Sequence, residues 1–234
     1  MKKLFYILCC SLVVLFTACE KGELSEKSNG DGSSSGSGVS KGHSYVDLGL
    51  SVKWATCNVG AVSPEDYGDY FAWGETKPKS EYSWGTYKWC NGIVNGSNES
   101  TITKYCTDSE DGIVDNKTTL DLEDDAAHVN WGGAWRMPTE EEQDELHRKC
   151  TWTWTVKNGV NGYIVKGPNG NSIFLPYAGS YYGSVFDEWG AYWSNSLYVK
   201  NSNAAFMLSF ASFGVNGTSA PRRFEGMSVR PVMP

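Results

Sequence analysis

Residues Trp131 to Thr155 read WGGAWRMPTEEEQDELHRKCTWTWT, a run that holds a helix start, a helix stop and a strand. Thr139 stands where an N-cap belongs, and Glu142 three positions later completes the capping-box pattern, in which the two side chains accept each other's backbone N–H groups. Glu140 to Glu142 suit the positive end of the helix and His147 to Lys149 its negative end. The helix carries only Leu146 and Cys150 as a spaced apolar pair, so its stability must come from packing against something larger. Thr151 to Val156 then alternates threonine with tryptophan, the period of a half-buried strand. A glycine-rich aromatic turn, a capped helix and a strand make the expected fold class α+β.

The chain has 234 residues, 40% apolar and 14% aromatic, enough for one buried domain once the N-terminal segment is set aside. Lys2 and Lys3 precede the apolar run Leu4 to Ala18, too short to span a bilayer comfortably and ending on small residues before Cys19. Residues 1–18 read as a signal peptide. From Gly22 to Gly42 the text is Ser, Gly, Lys, Asn and Glu with almost no apolar residue, unable to bury enough surface to order itself, so 19–42 is expected to be a flexible tether and 43–234 the domain. Removal of Lys2 and Lys3 takes the formal charge from −7 to −9. So acidic a chain is a poor nucleic-acid partner, and without a basic amphipathic stretch any membrane contact falls to a lipid.

Two short strands are expected at His43 to Leu50 and Val52 to Ala55. Aromatics crowd Tyr67 to Glu75 and Tyr82 to Trp89, where core and rim packing is the favoured role. Cys90 to Thr119 reads as a long polar loop with one short strand near Ile102 to Tyr105. Its acids Asp108, Asp111 and Asp115 do not fit an EF-hand, because counting from Gly112 puts threonines at both end-ligand positions. Asp121 is expected to cap a second helix carrying Leu122, Ala126 and Val129. Asn158-Gly159 and Gly167-Pro168-Asn169-Gly170 punctuate a β-meander, and Tyr192 to Val199 and Asn203 to Phe210 alternate as later strands.

Cys57, Cys90, Cys106 and Cys150 remain after cleavage besides Cys19, and outside the cell those four can form two disulfides. Cys90 with Cys106 is the favoured pairing, leaving Cys57 with Cys150; buried thiols are the alternative. No C-x-x-C spacing points to zinc, and neither a metal nor a cofactor is expected. The three histidines, His43, His128 and His147, have cap, dipole or edge positions, and no nucleophile elbow, phosphate loop or H-E-x-x-H motif appears.

Cys19 after Leu15-Phe16-Thr17-Ala18 resembles the lipobox of bacterial lipoproteins, which implies a lipid on Cys19, and the acids in Cys19-Glu20-Lys21-Gly22-Glu23 resemble signals that send lipoproteins to the outer face of the outer membrane. Tyr45-Val46-Asp47-Leu48-Gly49-Leu50, Lys53 to Gly60, Tyr70-Phe71-Ala72-Trp73-Gly74-Glu75, Trp135-Arg136-Met137-Pro138-Thr139 and Ser228-Val229-Arg230-Pro231-Val232 resemble the Fibrobacter succinogenes major paralogous domain. That family is similar to the formylglycine-generating-enzyme branch of the C-type lectin-like fold, so the resemblance implies two helices on small twisted antiparallel sheets with long loops. No cysteine follows Cys150, so the enzyme branch's activity is not expected. Target proteins of diversity-generating retroelements share that fold and vary near the C-terminus, and Tyr192 to Glu225 is similar to their alternation of core and surface residues.

The leading expectation is a displayed binding protein with an extracellular protein or glycan ligand. Its face is assigned to Tyr181, Tyr182, Trp189, Tyr198, Asn201, Asn203, Phe213, Asn216, Arg222 and Arg223, whose aromatic, amide and guanidinium groups are typical of recognition surfaces. The alternatives are a polysaccharide-acting enzyme using Asp187 and Glu188, and a structural subunit of a surface appendage.

Overall fold

The computed structural model describes residues 36–94 and 99–234, so the expected signal peptide, Cys19 and most of the expected tether lie outside the described residues. Among the described residues, five small antiparallel sheets make up the fold. The first joins β1 (Ser37–Ser40), β2 (His43–Val46), β3 (Lys53–Ala55) and β15 (Val232–Met233) in that order. Lys41 and Gly42, both at positive φ, make the two-residue turn between β1 and β2, the geometry that matches strand twist. β1 lies within the stretch 19–42 expected to be tether, because a turn signal inside the polar stretch closes a hairpin.

β4 (Cys90–Val94) and β5 (Glu99–Ile102) pair in the polar loop. β6 (Thr151–Lys157), β7 (Val160–Lys166) and β8 (Ser172–Pro176) form the meander, with Asn158 and Gly159 at positive φ in the first turn. Trp152 and Trp154 lie on its inner side against Tyr163, and the alternating threonines face out. β9 (Ser180–Tyr182) pairs on one side with β10 (Val185–Asp187) and on the other with β14 (Gly226–Met227). β11 (Gly190–Leu197), β12 (Ala205–Ala211) and β13 (Gly214–Ser219) form the last sheet.

Helix α2 (Glu140–Lys149) carries the capping box: Thr139 Oγ1 accepts from Glu142 N at 3.2 Å and Glu142 Oε2 accepts from Thr139 N at 2.9 Å. Arg136 clamps the same carboxylate at 2.7 and 2.5 Å. Helix α1 (Ala126–Trp131) is shorter than expected. Its cap is Asp125, which accepts from His128 N and from Met137 N, while Leu122 to Asp124 make a 3-10 turn and Gly132 at φ 70° stops the helix.

The expected α+β, C-type lectin-like arrangement is corrected by these proportions, 39% strand against 12% helix. The physical reason is that the capped helices stay short while the glycine, asparagine and aromatic stretches between them close into hairpins. β11 departs from its expected alternation as well: Tyr192, Trp193, Ser194 and Leu197 are all buried, so the strand is covered on both faces.

The core is aromatic. Trp73 Nε1 donates to Ser194 O at 2.9 Å and Trp193 Nε1 to Phe71 O at 2.8 Å, so two buried indoles tie the Phe71–Trp73 segment to β11. Phe71 and Met227 exchange backbone bonds at 2.9 and 3.0 Å. Arg230, also buried, donates to Asn58 Oδ1, Ala55 O and Thr56 O. These links lay the C-terminal strands across the first third of the domain.

Candidate functional site

Tyr67-Gly68-Asp69-Tyr70 forms one wall of an open cleft. Gly68 sits at φ 72°, and a Cβ there would meet Val59 O at 2.3 Å, so glycine is required for the turn. Asp66 closes the preceding turn by accepting from Val62 N and Ser63 N at 3.2 and 2.9 Å. Tyr67 O accepts from Asn58 Nδ2 and Ser228 Oγ, and the Tyr70 hydroxyl donates to Ala178 O. Burial, reinforced by neighbouring tyrosines, pushes the Tyr70 phenol well above its ordinary pKa, so it stays a neutral donor.

The β9–β10 hairpin forms the other wall. Phe186 stands opposite Tyr181 in register, and Gly179 leaves the space its ring occupies. Tyr82 bridges to Gly183 through two backbone bonds of 2.8 and 2.7 Å and lays its ring where a side chain at Gly226 would be. Tyr70 meets Tyr181 edge-on at 4.9 Å, and Tyr181 meets Phe186 at 5.2 Å.

Between the walls lies a cleft of about 570 Å³, lined by Glu65, Tyr67, Tyr70, Val160, Tyr181 and Phe186. A smaller recess of about 220 Å³ shares Gly68, Tyr70 and Tyr181 with it and is lined also by Asp69, Lys79, Ser80 and Tyr82. The larger volume is that of a small-molecule site, roughly 300–1,000 Å³.

Most of the charge around the cleft is already engaged. Burial raises the Glu65 carboxyl, but hydrogen bonds from Lys157, the backbone and Ser63 outweigh it and leave the pKa below the ordinary value. Lys157 lies 2.7 Å from that carboxylate. Lys79 is held by Glu75 at 2.9 Å and by Thr86 O at 3.0 Å. Among the described residues, the Asp69 carboxylate makes no hydrogen bond or ion pair, and the hydroxyls of Tyr67 and Tyr181 make no hydrogen bond. Asp69 is seated by Gly60, where a Cβ would come within 2.5 Å of its Oδ2.

Of the ten residues assigned from sequence to the ligand face, Tyr181 lines this cleft. Tyr182 faces the other way on β9 and meets Arg222, whose Nη1 is 3.3 Å from its hydroxyl. Trp189 donates to Ser180 Oγ and packs on the core, and Tyr198 rests edge-on against Phe206. Asn201 and Asn203 belong to the loop before β12, where Asn203 Nδ2 reaches Asp111 at 2.7 Å. Phe213 and Asn216 lie at the opposite end of β12, about 20 Å away at strand rise, so they share no surface with that loop.

Arg223 is a correction. It has no exposure, donates to Tyr87 Oη, Tyr105 O, Ser202 O and Lys104 O, and lies 4.7 Å from the centre of the Trp73 ring. Five donors are better spent on inward carbonyls that no other group reaches. Cys106, expected as a disulfide partner or a buried thiol, is buried and its Sγ donates to Asp108 O at 3.0 Å.

Asp121, Glu123 and Asp124 bring carboxylate oxygens within 4.8 Å of one another, yet the Lys104 ammonium sits among them at 2.8, 3.5 and 2.6 Å. Asp187 and Glu188, the acids of the enzyme alternative, are exposed. Residues Tyr67, Asp69, Tyr70 and Phe186 were missed by the sequence reading. Their signal was glycine between aromatics, in YGDY and in the Gly179 to Gly190 loop.

No family model, curated protein or solved structure matches this chain. No helix among the described residues is long and apolar enough to cross a membrane.

Proposed function

We propose that this chain is a lipoprotein, anchored through Cys19 and displayed at the outer surface of the cell, whose domain binds an extracellular ligand in the Tyr67–Phe186 cleft. The single observation that carries the binding reading is the cleft itself: four aromatic rings from segments more than a hundred residues apart in sequence open on one volume of about 570 Å³. Aromatics lining a concave surface are common anchors of recognition, since they bring large area at low entropic cost. The lipobox-like residues around Cys19 and the polar stretch after them support the display half of the reading. Binding is favoured over catalysis because Asp187 and Glu188 stand exposed, without the burial that tunes a catalytic acid.

The test of the binding reading is a map of aromatic and amide NMR shifts on adding a library of small ring-containing polar fragments. Shift changes gathered at Tyr67, Tyr70, Tyr181 and Phe186 are expected; changes gathered elsewhere, or scattered over the surface, overturn the assignment. The display reading is tested by Cys19→Ser, which should move the protein from the membrane pellet to the soluble fraction.

A further inference from the structure

We infer, resting on the cleft as the ligand face, that the ligand is a neutral glycan chain, held by the rings of Tyr67, Tyr181 and Phe186 and by the Asp69 carboxylate. Three observations lead there.

The rings form a wall and not a cage. Tyr70, Tyr181 and Phe186 pack on one another edge-to-face or tilted at 4.9, 5.2 and 6.2 Å, so no common point lies enclosed by several ring faces as a bound ammonium requires. Tyr67 and Phe186 stand at the rim, 37% and 38% exposed. A wall of this kind suits a flat ligand with one apolar face, which is what a pyranose ring offers.

The polar groups left over are those that hydroxyls satisfy. Among the described lining residues, Asp69 alone keeps a carboxylate with no hydrogen bond or ion pair, and Tyr67 and Tyr181 keep hydroxyls with no hydrogen bond. An ionised carboxylate only accepts, so its ligand must donate; sugar hydroxyls do so in pairs. Lys79 and Lys157 are both engaged with glutamates, so no spare cation welcomes an acidic sugar, and Asp69 repels one.

The two hollows are neighbours. Gly68, Tyr70 and Tyr181 border both the wide cleft and the recess where Asp69 and Ser80 stand, so a chain spanning the two rests on the rings with one unit near the carboxylate.

The test is titration calorimetry with cello-, xylo-, laminari- and mannohexaose, a hexagalacturonate, and tetramethylammonium chloride. At least one neutral hexasaccharide is expected to bind, with affinity falling at least about tenfold in Tyr181→Ala and in Asp69→Asn, the loss expected from one charged hydrogen bond. Tyr181→Phe keeps the packing of the ring and should lose only a fewfold, which separates a ligand contact from misfolding. Tetramethylammonium binding in place of the sugars, hexagalacturonate binding as tightly as the neutral chains, sugar binding insensitive to both variants, or silence from every sugar each overturns the glycan inference. The fragment map decides the cleft assignment independently, so the two can fail separately.

Discussion

Arg222 and Arg223 are consecutive residues on opposite sides of the surface: Arg222 is exposed beside the Tyr182 hydroxyl, and Arg223 is fully buried with its Nε 2.9 Å from the Tyr87 hydroxyl. The buried guanidinium ties together Lys104, Tyr105 and Ser202 through their carbonyls, and so fastens the polar loop to the Tyr198–Ala204 turn.

Arg223→Ala is therefore expected to cost about 3 kcal/mol or more, since each buried group left unsatisfied costs roughly 1–3 kcal/mol. Arg222→Ala should stay within about 0.5 kcal/mol. Urea unfolding of the two variants side by side measures this; equal effects would remove Arg223 from its structural role.

Gly179→Ala tests how the cleft is built. The position has φ 73° and an added Cβ would fall 2.1 Å from the Phe186 ring, so the ring must leave its seat. A destabilisation of about 1–3 kcal/mol is expected, of the size that overpacking brings. Phe186 aromatic shifts should move while those of Trp193, far into the core, stay put.

Stability should fall at both ends of the pH scale. Hydrogen bonds from Lys104 and Lys117 pull the Asp121 carboxyl down to about 2. A lowered folded pKa means stability that is present above the unfolded value of about 3.9 and is lost as pH falls through the folded one. Asp121→Asn should flatten the acid limb of melting curves between pH about 4 and about 2. Burial, the largest influence on each, pushes the Tyr82 and Tyr192 phenols up to about 12. Their contribution is full below the unfolded pKa of about 10 and lost as pH rises toward 12, so the melting temperature should fall there as well.

If the C-terminal segment varies between cells, burial restricts where. Resequencing many cells of one strain should find changes at exposed positions such as Asn201, Phe213, Asn216 and Arg222, and none at Tyr192, Trp193 or Arg223. Changes at those three buried residues would contradict the packing described above, and an unchanging segment would remove the diversity reading.

What was legible in the sequence was local. Thr139 and Glu142 announce the start of α2 because a capping box needs only four residues, and Asn158-Gly159 announces its turn because positive φ favours that pair. The cleft is not local: Tyr70 meets Tyr181 only after the Tyr82–Gly183 bridge and the Phe71–Met227 ladder have folded distant segments together. Arg223 misled for the same reason. An arginine beside a surface arginine reads as surface until the carbonyls that claim it are known. Cysteine count allowed two disulfides, but pairing depends on geometry that spacing does not contain.

The comparison of Tyr181→Ala with Phe213→Ala tests the central claim most directly, since both residues belong to the face expected from sequence and Tyr181 alone lines the cleft. Phe213, at 89% exposure, is the more conspicuous aromatic. With whichever neutral hexasaccharide or fragment binds the wild-type chain, Tyr181→Ala should weaken binding at least tenfold and Phe213→Ala should leave it unchanged. Loss of binding in Phe213→Ala with Tyr181→Ala unaffected would move the ligand to the β12–β13 hairpin and contradict the cleft.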